Sequence, residues 1–340
     1  MKKSLVLLLC LALCLTAGCG GKAPESTAPE SAAPEEPKDI TVCLDWTPNT
    51  NHTGLYVAAA KGFYEEAGLN VTIVQPPEDG ATALVAAGQA QFGVTAQDSL
   101  ASAFALEEPL PVTAVAALLQ HNTSGIISRA GEGMDRPAGL EGKEYATWNS
   151  PIELAMMEFV MKADGADFSK LKLIPNNITD EPGALAAHQA DAIWVYYGWG
   201  GITAQIRDFD FDFFYFKDFD PVMDYYTPVL IAGNAFLEEE PEAACSFLAA
   251  TAKGYEYAIE NPEEAAQILI DGDTTGSLAG SEELVLESQK WMSTQYKAEV
   301  EQWGYIDPAR WDGFYTWLTE NNLCAMPLEP GTGFSNDYLA

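Results

Sequence analysis

Basic side chains are scarce in this sequence: 17 Lys and Arg stand against 50 Asp and Glu, a formal charge of −33 at pH 7. A polyanion would meet a repulsive surface, which excludes DNA and RNA as partners. Histidine is scarcer still, with only His52, His121 and His188, so there is little material for acid–base chemistry. The chain lacks a phosphate-cradling glycine loop, a nucleophile elbow, a paired-histidine metal helix and a dinucleotide fingerprint. It also lacks a glycine-pivoted calcium loop. Binding is favoured over turnover, with no cofactor and no metal expected. Cysteine offers no framework either. Of six cysteines, Cys10, Cys14 and Cys19 lie near the start, while Cys43, Cys245 and Cys324 are odd in number and lack metal-ligand spacing. Those three read as small apolar residues within the packing.

What is present begins with "MKKSLVLLLCLALCLTAG", residues 1–18. Two lysines, an apolar run too short to remain as a membrane span and small residues at its end make an export signal. "LTAGC" resembles the bacterial lipobox, which implies lipid modification of Cys19 and a new N-terminus there. Residues 19–38 then comprise the lipidated cysteine and a linker, whose "GGKAPESTAPESAAPEEPK" carries no large apolar side chain to offset the entropy of ordering. Together these describe a domain tethered at the outer face of a membrane.

Beyond the linker, strand and helix patterns alternate, the mark of an α/β fold. Strands are expected at 40–44, 69–75, 90–96, 111–119 and 125–129, with helices at 53–61 and 80–88 ending on Gly62 and Gly88. A similar unit recurs. "EGKEYATW", "KLKLIPN" and "ADAIWVYY" read as strands, and a helix from Pro151 has Ser150 as its N-cap with Glu153 three residues on. Ala86-Ala87-Gly88-Gln89-Ala90 is echoed at Ala186-Ala187-His188-Gln189-Ala190. Parallel pairing with right-handed crossovers is expected in both units. "FDFDFFYFKDFD" reads as an alternating strand with its phenylalanines on one face and a solvated row of aspartates. After "YYTPVLIAGN" come helical runs at 241–270, 281–296 and 308–320. The simplest topology returns this tail to the first lobe. That gives lobes of 39–125 plus 226–340 and of 126–225, with hinges near 121–128 and 224–232.

In open α/β sheets the loops leaving the carboxyl ends of strands face a crevice, and ligands bind there. Such loops here hold Trp46, Asn49, Asn51 and His52; then Asp98 and Ser99 beside Gln97; then Trp148, Asn149 and Ser150; and finally Tyr196, Tyr197 and Trp199. Aromatic faces mixed with neutral polar groups suit a flat, polar heterocycle that is stacked and hydrogen-bonded around its edge. An anionic ligand calls for arginine, yet Arg129, Arg136, Arg207 and Arg310 fall outside these loops. Plainer roles stand beside these. Trp46 serves equally as a lid on the core, and His52 as a helix cap. Glu153 is better explained by capping, Asp45 by the helix dipole and Trp194 by burial within its strand.

"LDWTPNTNHTGLYVAAAKGFYEEAGLNVTI", "GQAQFGV", "GLEGKEYATW" and "GTGFSNDYL" together resemble the solute-binding proteins of ABC importers that capture thiamine pyrimidine precursors. Fungal enzymes that make the pyrimidine unit of thiamine are among their relatives. The resemblance covers roughly residues 39–340. It implies a type II periplasmic-binding-protein fold, two lobes closing on a small ligand, a membrane permease as partner and an extracytoplasmic, monomeric receptor. The fungal enzymes use a lysine that holds pyridoxal phosphate, a nearby histidine and a cysteine cluster. Here Thr95, Ser99 and the cysteine-free Met223–Thr227 stand at those positions, so the resemblance favours the binding branch. Related pyrimidine binders carry Trp-Glu-Gly, whose glutamate is expected to pair with the aminopyrimidine edge. This chain reads "YYGWGGI", with Gly200 in place of the glutamate. Losing such an acceptor costs about 1.5–3 kcal/mol. Either Asp98 or Asp224 compensates, or the ligand differs, with riboflavin and other aromatic heterocycles as candidates. A sulfonate, nitrate or taurine receptor and a pyrimidine-synthesising enzyme are the remaining alternatives.

Overall fold

The structure, a computed structural model, describes residues 36–176 and 178–339. The export segment, Cys19 and most of the linker lie outside the described residues. Among the described residues there are ten strands: β1 (Lys38–Cys43), β2 (Leu69–Val74), β3 (Phe92–Thr95), β4 (Val112–Ala117), β5 (Ser124–Arg129), β6 (Glu144–Thr147), β7 (Lys172–Pro175), β8 (Ala192–Tyr196), β9 (Phe211–Tyr215) and β10 (Val229–Gly233). They form two five-stranded sheets, ordered β2-β1-β3-β10-β4 and β7-β6-β8-β5-β9.

The sheets are mixed rather than wholly parallel. β1 runs parallel to β2 and β3, but β10 is antiparallel to both β3 and β4. In the second sheet β6 runs parallel to β7 and β8, while β5 is antiparallel to β8 and β9. The reason lies in the chain path. β4 ends at the carboxyl edge of the first sheet and passes through residues 118–123 straight into β5, and β9 returns through residues 216–228 into β10. Each arriving strand starts at the carboxyl edge and must run against its neighbours. Parts of both expected hinges are therefore strand. The same path turns the carboxyl edges of the two sheets toward a common gap, where ligand-binding loops belong.

Local sequence explains most elements. The echoed pentapeptides are one helix exit used twice: Gly88 and His188 both take left-handed conformations, with φ of 70° and 53°. Gln89 N–H then bonds back to Leu84 O, and Gln189 N–H to Ala184 O, which satisfies the last helical carbonyls before the next strand. The helix Pro151–Ala163 begins with the Ser150–Glu153 capping box. Two expectations fail. The run 241–270 is two helices, Pro241–Glu260 and Pro262–Gly272, because Pro262 drives Asn261 out of helical geometry, to φ −131° and ψ 58°. The aromatic strand is only β9, and the adjacent Phe213 and Phe214 break its alternation. Phe214 and Phe216 enter the larger core, whereas Phe211 and Phe213 pack on Ile127 and its neighbours. The helices that follow β10 cover the first sheet, with Tyr255, Phe247 and Trp303 fully buried there.

Cys43 is buried, and Cys245 and Cys324 are half-buried and unpaired. Among the described residues no helix is long and apolar enough to cross a membrane, and no three His, Cys, Asp or Glu side chains are grouped to hold a metal.

Candidate functional site

The loop after β1 is built by its own polar side chains. Asn49 caps the short helical turn Thr50–His52: its Oδ1 accepts from Asn51 N–H at 2.9 Å, and its Nδ2 donates to Thr47 O at 3.0 Å. The Asn49 N–H donates to His52 Nδ1 at 3.2 Å. With that nitrogen used as acceptor, the ring proton sits on Nε2 and points to Asp45 Oδ1, 2.7 Å away. Tyr255, on the helix Pro241–Glu260, and Tyr296, in the bend after the helix Glu282–Met292, which stops short of the expected 296, donate to the carbonyls of Asn51 and Thr50, both at 2.6 Å. The loop is thereby fixed, with Thr50 and His52 buried beneath it and Trp46, Thr47, Asn49 and Asn51 left at the gap.

Across the gap, β8 ends in a wide helical turn, Tyr197–Gly201. A Cβ at position 200 would lie 2.7 Å from Val195 Cβ, so this backbone has no room for any side chain at Gly200. Ser288, on the helix Glu282–Met292, ties the turn to the first loop. It lies 2.6 Å from Thr50 Oγ1 and donates to Gly198 O.

Two cavities open between these elements. One, of about 280 Å³, has Trp46, Asn49 and Asn51 on one side and Tyr196 and Trp199 on the other, with Asp45 and Thr47 completing it. The second, of about 180 Å³, takes Asp98 from the start of the helix Gln97–Phe104 together with Trp148, Ser150, Trp194 and Tyr225. Ile152, Glu153 and Met156 close it from the Pro151–Ala163 helix. Tyr196 lines both. The residue is 42 % exposed, while its hydroxyl sits 3.3 Å from Thr227 Oγ1. Trp46 and Trp148 are 68 % and 50 % exposed, unusual for tryptophan away from a binding surface.

No lysine or arginine lines either cavity. Arg129 pairs with Glu132 and Asp191, Arg136 with Asp164 and Arg207 with Asp180, while Arg310 reaches Gln120 O and Asp224. The acids differ in how far they are engaged. Glu153, only 2 % exposed, accepts from Tyr145 OH at 2.7 Å, Thr147 OH at 2.9 Å and Ser150 N–H at 3.1 Å. Asp98 Oδ1 is buried without a partner. Burial pushes the Asp98 carboxyl above the usual carboxylate range, against the backbone N–H groups of Ser99 and Asp98 that pull it down.

Of the residues singled out from sequence, Trp46, Asn49, Asn51, Asp98, Trp148, Ser150, Tyr196 and Trp199 line the cavities. The others do not. His52 is fully buried with both nitrogens engaged, so it positions Asp45 instead. Ser99 is exposed beside Asp98 and lines neither cavity. Asn149 adopts φ 61° and is exposed, its N–H bonded to Thr147 Oγ1. Tyr197 turns away toward Phe213, Tyr215 and Trp291. Asp224 is consumed at the chain crossings by Asn122 N–H and His121. Asp45, Thr47, Glu153, Trp194 and Tyr225 were not foreseen as lining. For Trp194 a signal existed: it lies two residues before Tyr196 on one strand, so both project from the same face, and its ring meets Trp148 edge-on at 5.2 Å.

A gap walled by aromatic side chains, at the facing edges of two mixed sheets that the chain crosses twice, is the architecture of the periplasmic binding proteins. The periplasmic aliphatic sulphonate binding protein from Escherichia coli superposes with a TM-score of 0.63 at 14 % identity, over 87 % of this chain and 97 % of that one. More narrowly, the NMT1/THI5 like family model matches residues 49–265, and the chain belongs to that family. It is 28 % identical to the formylaminopyrimidine-binding protein of Halalkalibacterium halodurans over 99 % of both chains. It is 25 % identical to a 4-amino-5-hydroxymethyl-2-methylpyrimidine phosphate synthase of Saccharomyces cerevisiae over 88 % of both.

Proposed function

We propose that this chain is the extracytoplasmic substrate-binding component of an ABC importer, capturing a small planar heterocycle of the thiamine-pyrimidine-precursor kind. The observation that carries the reading is the shared aromatic gap. Trp46 from the first sheet's loop faces Tyr196 and Trp199 from the second sheet's turn, with amides around them and no basic group. Such walls stack a flat ring and hydrogen-bond its edge. The binding activity named for the relative from Halalkalibacterium halodurans agrees with this chemistry. The two sheets with their helices act as lobes, residues 39–125 with 226–340 and residues 126–225. The lipid on Cys19 holds the receptor at the membrane beside its permease.

Neither rival finds its chemistry here. A sulfonate or nitrate lacks a cationic partner in either cavity. Pyridoxal phosphate lacks a lysine, since Thr95 and Ser99 occupy the positions that matter in the synthases, and no lysine lines the gap.

Thermal-shift screening of the purified protein tests the reading. Ligand at a hundred times its Kd stabilises the native state by about 2.7 kcal/mol, a rise of roughly 4 °C for a chain of this size. Aminopyrimidines are expected to produce it and alkanesulfonates are not. Trp46→Ala, at a largely exposed position, should keep the melting temperature within about 2 °C, since exposed substitutions cost about 0.5 kcal/mol, while abolishing the ligand-induced shift. A shift with sulfonates alone, or an undiminished shift in Trp46→Ala, would overturn the stacking site.

A further inference from the structure

Four acidic side chains stand in or near the gap, and three are already engaged. Asp45 Oδ1 receives the His52 Nε2 proton. Glu153 holds Tyr145, Thr147 and the Ser150 N–H with its two oxygens. Asp224 takes Asn122 N–H on one oxygen and His121 on the other. Asp98 differs, because its Oδ1 is buried, lines the second cavity and has no hydrogen-bond partner. An orphaned carboxyl oxygen is costly to the free protein. No lysine or arginine of the cavity walls can supply the missing donor.

We infer that Asp98 is the specificity-determining group of the site, accepting the N–H edge of an amine- or amidine-bearing heterocycle that carries no phosphate or carboxylate. This assignment rests on the receptor reading above and names the ligand chemistry within it. The surroundings fit a flat ring. Trp148 and Trp194 meet edge-on, Tyr196 is shared with the cavity lined by Trp46 and Trp199, so one flat ligand can touch both sets of walls, and Tyr225 is fixed by stacking on Phe314 at 4.2 Å. A carboxyl group matches an aminopyrimidine edge in either protonation state. With the proton on oxygen, the O–H donates to the ring nitrogen and the amine donates to the second oxygen. With that same proton on the ring, both donors belong to the ligand. Glu153 and Asp45, close by and acidic, disfavour an anionic substituent on the same ligand. Burial already holds the Asp98 carboxyl above its ordinary range, and an N–H edge hydrogen-bonded to the carboxylate opposes that shift, which ties affinity to pH.

Calorimetric titration of the full chain with 4-amino-2,5-dimethylpyrimidine and with its 4-oxo counterpart tests the assignment. The wild type should prefer the amine at least tenfold. In Asp98→Asn that ratio should fall at least tenfold, because the amide offers a donor suited to the oxo group, and the proton uptake or release seen in buffers of different ionisation heat should vanish. Without ligand, Asp98→Asn should melt at or above the wild-type temperature, since it removes an unsatisfied carboxyl. A carboxyl that merely supports the fold would lower it. If Asp98→Asn is poorly folded, that alone counts against the assignment. An unchanged ratio in Asp98→Asn, with binding still lost in Trp46→Ala, overturns the role of Asp98 and leaves the receptor reading standing. If the wild type binds neither pyrimidine nor any other heterocycle, both fall.

Discussion

His121 stands where the chain first passes between the sheets, with Nδ1 2.7 Å from Asp224 Oδ2 and Nε2 2.8 Å from Glu299 Oε2. Asp224 belongs to the return crossing, so this one ring joins both passages. The Asp224 carboxylate raises its pKa above the ordinary value of about 6.5; burial opposes this, Glu299 adds to it and Arg310 subtracts. A pKa raised in the folded state gives stability that is fully present below the unfolded value and lost as pH climbs through the folded one. His121→Gln should therefore be less stable than wild type by about 1 kcal/mol near pH 6, with the gap closing toward pH 9, as read by urea unfolding. A gap independent of pH would show that the ring contributes packing alone. Residues of this kind were poorly legible in the sequence. Chemistry type was readable for Trp46, Tyr196 and Trp199, since large aromatics directly after strands have few other duties. Direction was not: nothing local announces that Asn149 takes a positive φ, that Tyr197 turns outward, or that Asp224 finds partners some hundred residues distant.

Secondary-structure elements were easier to foresee, because capping and termination are local. Ser150 and Glu153 announce their helix start, and Gly88 with its counterpart His188 mark equivalent exits. The packing of elements was not foreseeable, as the helices Thr53–Ala60 and Pro241–Glu260 illustrate. Gly254 sits where a Cβ would come within 2.1 Å of Gly54 O. Alanine there gains about 1 kcal/mol of helix propensity over glycine, but it collides with a backbone carbonyl that cannot rotate away. Overpacking of this sort costs about 1–3 kcal/mol. Gly254→Ala should thus lower the unfolding free energy despite the better helix former, and a stability equal to or above wild type would mean that the two helices separate freely. The break at Asn261–Pro262 was misread because apolar spacing continues through it, and proline's constraint on the preceding residue outweighs that spacing.

At the scale of the molecule, the α/β class and the gathering of strand ends could be read from alternation. The antiparallel β5 and β10 could not, since they depend on where the chain leaves each sheet. Those two crossings also set how the proposed receptor closes. Stacking that involves both Trp46 and Trp199 exists only when the halves meet, so the ligand favours the closed form by the contacts that form bridges. The Thr50–Ser288–Gly198 chain joins the same two loops without touching either cavity. Of its two hydrogen bonds only Ser288–Gly198 crosses from one lobe to the other; at about 1 kcal/mol it biases the free protein toward closure, and removing it leaves the ligand to supply that free energy. Ser288→Ala should therefore weaken heterocycle binding by roughly 5-fold, the equivalent of about 1 kcal/mol, although Ser288 touches no ligand. Small-angle scattering should show the ligand-free variant more expanded than ligand-free wild type, and the two alike at saturation. Unchanged affinity together with identical ligand-free profiles would remove Ser288 from the closing mechanism and leave the ligand as its only driver.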